Sequence, residues 1–258
     1  MIYLKTEEEI ELIRQSCLMV SKTLAMLAPL VQPDVSTACL DRIAEEFIRD
    51  NGGIPSCKGY EGYPNATCMS LNDTVVHGIP SEKTILQNGD VLSIDMDVMM
   101  NGFNGDSAYT FCVGEVSDRV KHLLKTTKEA LYVGIEQACA GNRVGDISYS
   151  IQTYCENENF SVVRDMVGHG LGRGMHEDPQ VPNNGKRGYG PMLKSGMVIC
   201  IEPMINLGKY PIFIEADGWT ARTKDHTVSA HYEHAVAIRK GKADILSDFR
   251  IIEEALKK

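Results

Sequence analysis

The chain has 258 residues, of which 43% are hydrophobic, and its formal net charge is −9. This acidity argues against DNA or RNA binding, which needs a basic surface, and no apolar run approaches the roughly 18 residues of a membrane span. The eight cysteines include no Cys-x-x-Cys pair and the N-terminus does not read as a signal peptide, so we expect free thiols in the cytoplasm.

The first 53 residues predict two helices. Thr6 and Glu9 form a capping-box pattern, and apolar residues then recur at steps of three and four up to Leu27, which is one helical face. We expect Pro33 to end this helix. A second helix is predicted from about Ser36 to the pair of glycines at 52–53.

A hairpin of strands is predicted next. Between residues 91 and 98 apolar side chains alternate with polar ones, so that Asp95 and Asp97 share the face opposite the apolar one. The two Asn-Gly pairs in residues 101–105 predict a turn. A strand over Asp106–Val113 then follows.

The same order repeats in the second half. Helices are predicted from Ser117 to about Ala140 and over about Asp146–Glu158, and strands follow, with Glu233 on a strand over 228–238. Two helices followed by a hairpin sheet, twice over, predict an α+β fold with outer helices on an antiparallel sheet. We expect one domain over 1–258 with pseudo-symmetric halves at about 1–115 and 116–258.

Five residues stand in unusual local settings: Asp95, Asp106, His169, Glu202 and Glu233. Carboxylates inside apolar segments are costly to bury unless they are paired or bound to a cation. Four carboxylates and one imidazole can share two divalent metals about 3.5–4 Å apart. The set therefore predicts a dinuclear metal site.

Each member of this set also has an ordinary explanation. Asp95 could be a hydrogen-bonded structural residue, and His169 could mark a tight glycine turn. Glu202 before a proline could be solvated at a sheet edge, and Glu233 could pair with a nearby arginine or lysine. All of these explanations would have to hold at once.

The chain resembles the type I methionine aminopeptidases of the pita-bread fold. The resemblance covers most of the chain and is carried by residues 59–64, 72–80, 94–95, 101–107, 168–172, 176–179, 201–204, 217–220 and 229–234. It implies that Asp95 chelates the first metal, that Asp106 and Glu233 bridge both, and that His169 and Glu202 bind the second. The metals would be Mn, Fe, Co or Zn.

The resemblance also implies three catalytic residues. His77 would assist at the scissile amide, and His176 would donate a hydrogen bond to its carbonyl oxygen. Glu202 would double as general base and proton shuttle. By themselves, the two histidines would be read as a turn or core residue and a surface-loop residue.

An apolar pocket for the methionine side chain is implied around Cys57, Tyr60, Tyr63, Cys68, Met175, Trp219 and His231. Three positions depart from the expected pattern: Asp97 stands where Thr or Gly is usual, Met175 replaces an aromatic residue, and His231 replaces Gln. A monovalent cation is implied near Asn72, Thr74 and Ser229.

The implied function is removal of the initiator methionine from nascent chains and peptides when the second residue is small, through a hydroxide bridging two metals. The implied partners are N-terminal methionine peptides and nascent chains at the ribosome, and the implied state is a monomer. One alternative is a Pro-directed peptidase of the same fold, although such enzymes usually carry an additional N-terminal domain. The other is a non-catalytic binding module, which would typically lack the metal ligands.

Overall fold

The computed structural model describes residues 1–257. Its helices pack on antiparallel sheets, as the α+β prediction requires. Within these residues no helix is both long and apolar enough to cross a membrane. The α-helices are α1 (Glu7–Leu27), α2 (Thr37–Asp50), α3 (Asp118–Gln137), α4 (Val144–Asn157) and α5 (Phe249–Ala255).

The strands are mostly short and form four antiparallel sheets. They are β1 (Ile54–Pro55), β2 (Cys68–Leu71), β3 (Thr74–Val76), β4 (Val91–Met100), β5 (Phe103–Cys112), β6 (Ser161–Val162), β7 (Val167–Gly170), β8 (Glu177–Pro182), β9 (Val198–Ile201), β10 (Met204–Asn206), β11 (Ile212–Ile214), β12 (Ala221–Thr223), β13 (Ser229–His231), β14 (His234–Ala237) and β15 (Asp244–Ile245). In the first half β4 pairs with β1, β2 and β5. In the second half a five-stranded sheet has the order β15-β14-β9-β7-β8, and the three-stranded sheets are β13-β10-β6 and β11-β12-β3.

The helix starts follow the sequence pattern closely. The Thr6 hydroxyl accepts a hydrogen bond from the Glu9 amide at 3.2 Å, and the Glu9 carboxylate accepts one from the Thr6 amide at 3.1 Å, which confirms the capping box. Ser36 caps α2 in the same way. The expected end of α1 at Pro33 is wrong: the α-helix ends at Leu27, because Pro29 has no N–H to continue the ladder.

The β4–β5 hairpin is the scaffold of the first half. Its turn is Asn101-Gly102, both with left-handed φ, as a two-residue hairpin turn requires. The second Asn-Gly pair was also expected in the turn, and this is wrong, because Gly105 lies inside β5 opposite Val98. A Cβ on Gly105 would stand 2.1 Å from the Cys17 amide nitrogen of α1, so this glycine allows the helix to lie directly on the strand.

The predicted single strand over 228–238 is also wrong. β13 pairs with β10, whereas β14 pairs with β9 in a different sheet. Glu233 lies between β13 and β14, where its amide donates to the Ala108 carbonyl at 3.0 Å. Glu202 lies in the matching break between β9 and β10. Both glutamates therefore sit where the chain passes from one sheet to another.

Candidate active site

An open cleft of about 680 Å³ contains all five of the predicted metal ligands, drawn from both halves of the chain. Other residues predicted for the site line the same cleft: Cys57, Tyr60, Tyr63, Cys68, His77, Met175, His176 and Trp219. Residues that the sequence did not single out also line it, among them Met1, Tyr3, Asp178 and Gln180. The fold thus brings together side chains that are far apart in the sequence.

The first half contributes three carboxylates from one hairpin. On β4 the apolar residues alternate inward and are fully buried, so Asp95 and Asp97 point to the opposite face. Asp97 pairs directly across from Asp106 on β5, and directly opposed residues of an antiparallel pair project on the same side. The departure at Asp97 therefore places a third acid beside the two predicted ligands.

The second half contributes an imidazole whose tautomer is set by the backbone. His169 lies on β7, and its Nδ1–H donates to the Gly170 carbonyl at 3.0 Å. Its Nε2 is left facing the cleft, 3.4 Å from Asp106 Oδ2 and 3.6 Å from Glu202 Oε1. Metal-binding histidines are oriented in this way, by a hydrogen bond from the second nitrogen.

Cys200 is a buried neighbour of the predicted ligands that the sequence analysis did not single out. One ligand atom each of Asp106, His169, Cys200 and Glu233 lies within 4.8 Å of the others, and the Cys200 thiol lies 3.8 Å from Asp106 Oδ2. The sequence offered one indication of this position, since Cys200 lies two residues before Glu202 and residues two apart in a strand share a face.

The site is strongly acidic and largely withdrawn from water. Burial raises the pKa of the Asp95, Glu202 and Glu233 carboxyls, and the negative charge of Asp106 adds to each shift. Burial also acts to raise the pKa of Asp106, but its contact with the His169 imidazole brings that pKa below its ordinary value. Carboxylates crowded in this way repel one another unless a cation compensates them.

The residues present fit divalent cations. Within residues 1–257, three carboxylates of the cleft, those of Asp97, Asp106 and Glu233, each retain a fully buried oxygen without a hydrogen-bond partner: Oδ1, Oδ1 and Oε1. A buried charge without a partner costs several kcal/mol, and coordination by a cation would remove that cost. Carboxylates together with one imidazole form a donor set that suits Mn, Fe, Co and Zn.

Two further histidines lie at the cleft. His176 is held by Tyr60, whose hydroxyl lies 3.0 Å from its Nδ1, and its ring stands edge-on to that of His169 with centroids 4.4 Å apart. Burial, followed by the nearby His169, lowers the pKa of His176 to about 4. Burial also lowers the pKa of His77, so both imidazoles are neutral at pH 7.

The apolar part of the cleft is built around Tyr63. Its hydroxyl lies within hydrogen-bonding distance of the Thr67 and Gly78 carbonyl oxygens, at 3.1 and 3.0 Å, and its ring packs edge-to-face on Trp219 with centroids 5.1 Å apart. Cys57 and Cys68 are buried against it. Together these side chains form a pocket of mixed aromatic and sulfur character.

His231 occupies a different place from the one expected. It is 1% exposed and lies behind Glu202, with Nε2 3.8 Å from Oε2 of that residue, so it does not line the cleft. Burial lowers its pKa to about 3. His231 therefore packs against a predicted ligand as a neutral side chain, instead of forming the wall of the pocket.

Two of the three residues expected near a monovalent cation, Asn72 and Ser229, are joined by a backbone hydrogen bond. The Asn72 carbonyl accepts the Ser229 amide at 2.9 Å. The side chains are already engaged: Asn72 bonds to Asp90 and to the Val91 amide, and Ser229 bonds to Asn206.

Comparison with known proteins places this geometry among metallopeptidases. Residues 11–240 match the model of metallopeptidase family M24. The chain is 48% identical to a methionine aminopeptidase of Clostridium acetobutylicum over 247 residues, which cover 96% of this chain and 99% of that protein. It is 47% identical to methionine aminopeptidase 1 of Bacillus subtilis over the same length.

Solved structures agree with these relatives. The chain is similar to the crystal structure of a methionine aminopeptidase from Rickettsia prowazekii, with a TM-score of 0.94, 39% identity, and coverage of 96% of this chain and 100% of that one. A prolidase from Pyrococcus furiosus shares the fold at a TM-score of 0.75, but it is 22% identical and the match covers 65% of its chain. These likenesses confirm the pita-bread fold.

Proposed function

The chain belongs to metallopeptidase family M24 and, within it, to the methionine aminopeptidases, and on this premise we propose that it removes the initiator methionine of polypeptides whose second residue is small. The observation that carries the proposal is the convergence of Asp95, Asp106, His169, Glu202 and Glu233 in one cleft beside an apolar pocket. We propose that residues 1–258 act as a single catalytic domain.

Divalent metal is part of this activity, and we propose two ions per chain. Asp95 would bind the first, His169 and Glu202 the second, and Asp106 and Glu233 both. Bound metal would supply a hydroxide near neutral pH and polarise the scissile carbonyl. The buried, unpartnered oxygens of Asp106 and Glu233 support their place among the metal ligands.

The side chains around the ligands have separate tasks in the proposal. His176 would donate a hydrogen bond from Nε2–H to the carbonyl oxygen, and a hydrogen bond from the Tyr60 hydroxyl to Nδ1 would favour the neutral tautomer that carries its proton on Nε2. His77 would hydrogen-bond the scissile amide. Glu202 would take up a proton and return it to the leaving amine.

Substrate choice would follow from two parts of the cleft. The Tyr63–Trp219 pair and the two buried thiols would take the methionine side chain, since thioethers pack well on aromatic edges. His77 and Tyr60 would crowd the position of the second residue, and a bulky side chain there would collide with them.

The test is hydrolysis of Met-Ala-Ser, Met-Leu-Ser and Ala-Pro-Ser by enzyme that has been stripped with chelator and reloaded separately with Mn, Fe, Co or Zn. We expect metal-dependent release of methionine from Met-Ala-Ser alone. Equal kcat/KM for Met-Ala-Ser and Met-Leu-Ser would contradict the size limit, and faster cleavage of the proline peptide would favour the Pro-directed alternative. Binding of all three peptides without hydrolysis would favour a non-catalytic module.

We also propose the natural substrates, the compartment and the oligomeric state. Nascent chains would be the natural substrates, met at the ribosome in the cytoplasm, where the eight free thiols are kept reduced. The chain would act as a monomer. A monovalent cation near Asn72, Thr74 and Ser229 would be bound through backbone carbonyls, because the Asn72 and Ser229 side chains are engaged elsewhere.

A further inference from the structure

Strand β8 is an edge strand that leads away from the proposed reaction centre. It is the last strand of the five-stranded sheet and pairs only with β7 among the strands of residues 1–257. It begins at Glu177, directly after His176. An edge strand offers unpaired N–H and C=O groups along its free side, so backbone hydrogen-bonding capacity starts where the scissile bond would lie.

A second cavity continues the catalytic cleft along this strand. It has a volume of about 570 Å³ and shares Met1, Asp178 and Gln180 with the cleft. Both cavities are therefore lined by β8. The path from one to the other follows the strand from Glu177 toward Pro182.

The walls of the second cavity suit an extended peptide. Pro179 and Pro182 of β8 line it, together with Tyr189 and its neighbours in the loop that follows this strand. The Tyr189 side chain is 67% exposed, so its ring is available to cover a bound chain. Lys186 is the one basic side chain among those that line this cavity, and the N-terminal ammonium of Met1, which also lines it, is paired with Asp178 of β8.

We propose that the substrate polypeptide downstream of the scissile bond adds a strand to the free edge of β8. This added strand would run from the cleft into the second cavity. This inference rests on the proposed function, since it concerns the same substrate. Pairing through main-chain groups takes any sequence, which suits an enzyme whose substrates share only their first two positions.

The features of β8 also limit how tightly such a strand can bind. Its two prolines lack N–H groups and interrupt the ladder. The strand has six residues, about 20 Å in extended form. The added strand is thus short and weakly held, which allows product to leave after each turnover.

Peptide length provides the first test. We would measure kcat/KM on C-terminally amidated peptides of three, five, seven and nine residues that begin Met-Ala-Ser and continue with alternating Thr and Ser. We expect kcat/KM to rise about two- to tenfold for each strand hydrogen bond gained and to level off near seven or eight residues. Equal kcat/KM at all lengths would overturn the proposal, whereas failure to cleave a peptide of any length would overturn the proposed function instead.

The pattern of hydrogen bonds provides the second test. N-methylation of one peptide amide at a time, at positions three to seven of the longest peptide, should lower kcat/KM at every second position, because alternate amides of a strand face its partner. Equal losses at all positions, or no loss, would overturn strand addition.

A surface variant separates the effect of the second cavity on kcat/KM from that of the reaction centre. Tyr189→Ala should remove part of the gain seen with long peptides and leave Met-Ala-Ser hydrolysis unchanged. The matched control is Tyr210→Ala, since Tyr210 is also exposed and lines neither cavity. An equal response of the two variants to peptide length would contradict the place assigned to the downstream segment.

Discussion

Replacement of His176 by alanine should slow the reaction without loosening the fold. The imidazole is only partly withdrawn from water, and its Nδ1 lies 3.0 Å from the Tyr60 hydroxyl. Its removal should therefore change the free energy of unfolding by no more than the net value of that hydrogen bond, about 0.5–1.5 kcal/mol. Loss of one donor to a developing oxyanion costs about 10²–10³ in kcat. Since that donor acts mainly in the transition state, KM should change far less.

A graded second variant tests the role of the hydroxyl. Tyr60→Phe keeps the ring but removes the hydrogen bond that orients His176, and one such bond has a net value of about 0.5–1.5 kcal/mol. We expect kcat to fall about two- to tenfold, well short of the loss in His176→Ala.

The assay is methionine release from Met-Ala-Ser over a range of concentrations, with metal content and thermal unfolding measured on every variant. His226→Ala is the control, because His226 is 69% exposed and pairs with Asp73 outside the cleft. Wild-type kcat in His176→Ala, at full metal content, would refute the role of this imidazole in the reaction.

Three other changes follow from the same geometry. Asp106→Ala removes the carboxylate nearest to His169. It should abolish most activity and lower the divalent metal content measured by elemental analysis, while the thermal unfolding transition is retained. A full metal complement would contradict the bridging role. Asp97→Thr takes away a buried acid opposite Asp106 and should weaken metal binding, measured by a chelator-competition titration. An unchanged Kd for the metal would mean that Asp97 acts only through its contacts with Cys57. Gly105→Ala forces a Cβ to within 2.1 Å of the Cys17 backbone and should destabilise the chain by about 1–3 kcal/mol or more. The thermal midpoint should fall by about 2–4 °C for each kcal/mol lost. An unshifted midpoint would show that α1 can move away from β5.

Local features of the sequence determined the helix starts and the main hairpin. The Thr6–Glu9 capping box and the Asn101-Gly102 turn form as expected, because each depends on residues only a few positions apart. The alternation along β4 assigned its two faces correctly, and so placed Asp95 and Asp97 away from the core. The helix α5 was not predicted.

The list of ligand residues also came from the sequence, but partly by resemblance to a family. Carboxylates within apolar segments pointed to a buried cation site, and the five residues do share one cleft. Sequence alone could not show that Cys200 lies beside them or that His231 lies behind Glu202, since both depend on which face of which strand turns toward the hairpin of the first half.

What only the tertiary structure decided is where strands end and which strands they meet. Residues 228–238 read as one strand, yet the chain changes sheets at Glu233, as it does at Glu202. Gly105 reads as a turn residue, yet it lies within β5 opposite Val98, where its bare Cα allows α1 to pack on the strand. Propensity and alternation describe neighbours along the chain, whereas sheet pairing and close backbone packing depend on partners many residues away. These distant partners bring the two glutamates opposite the two aspartates.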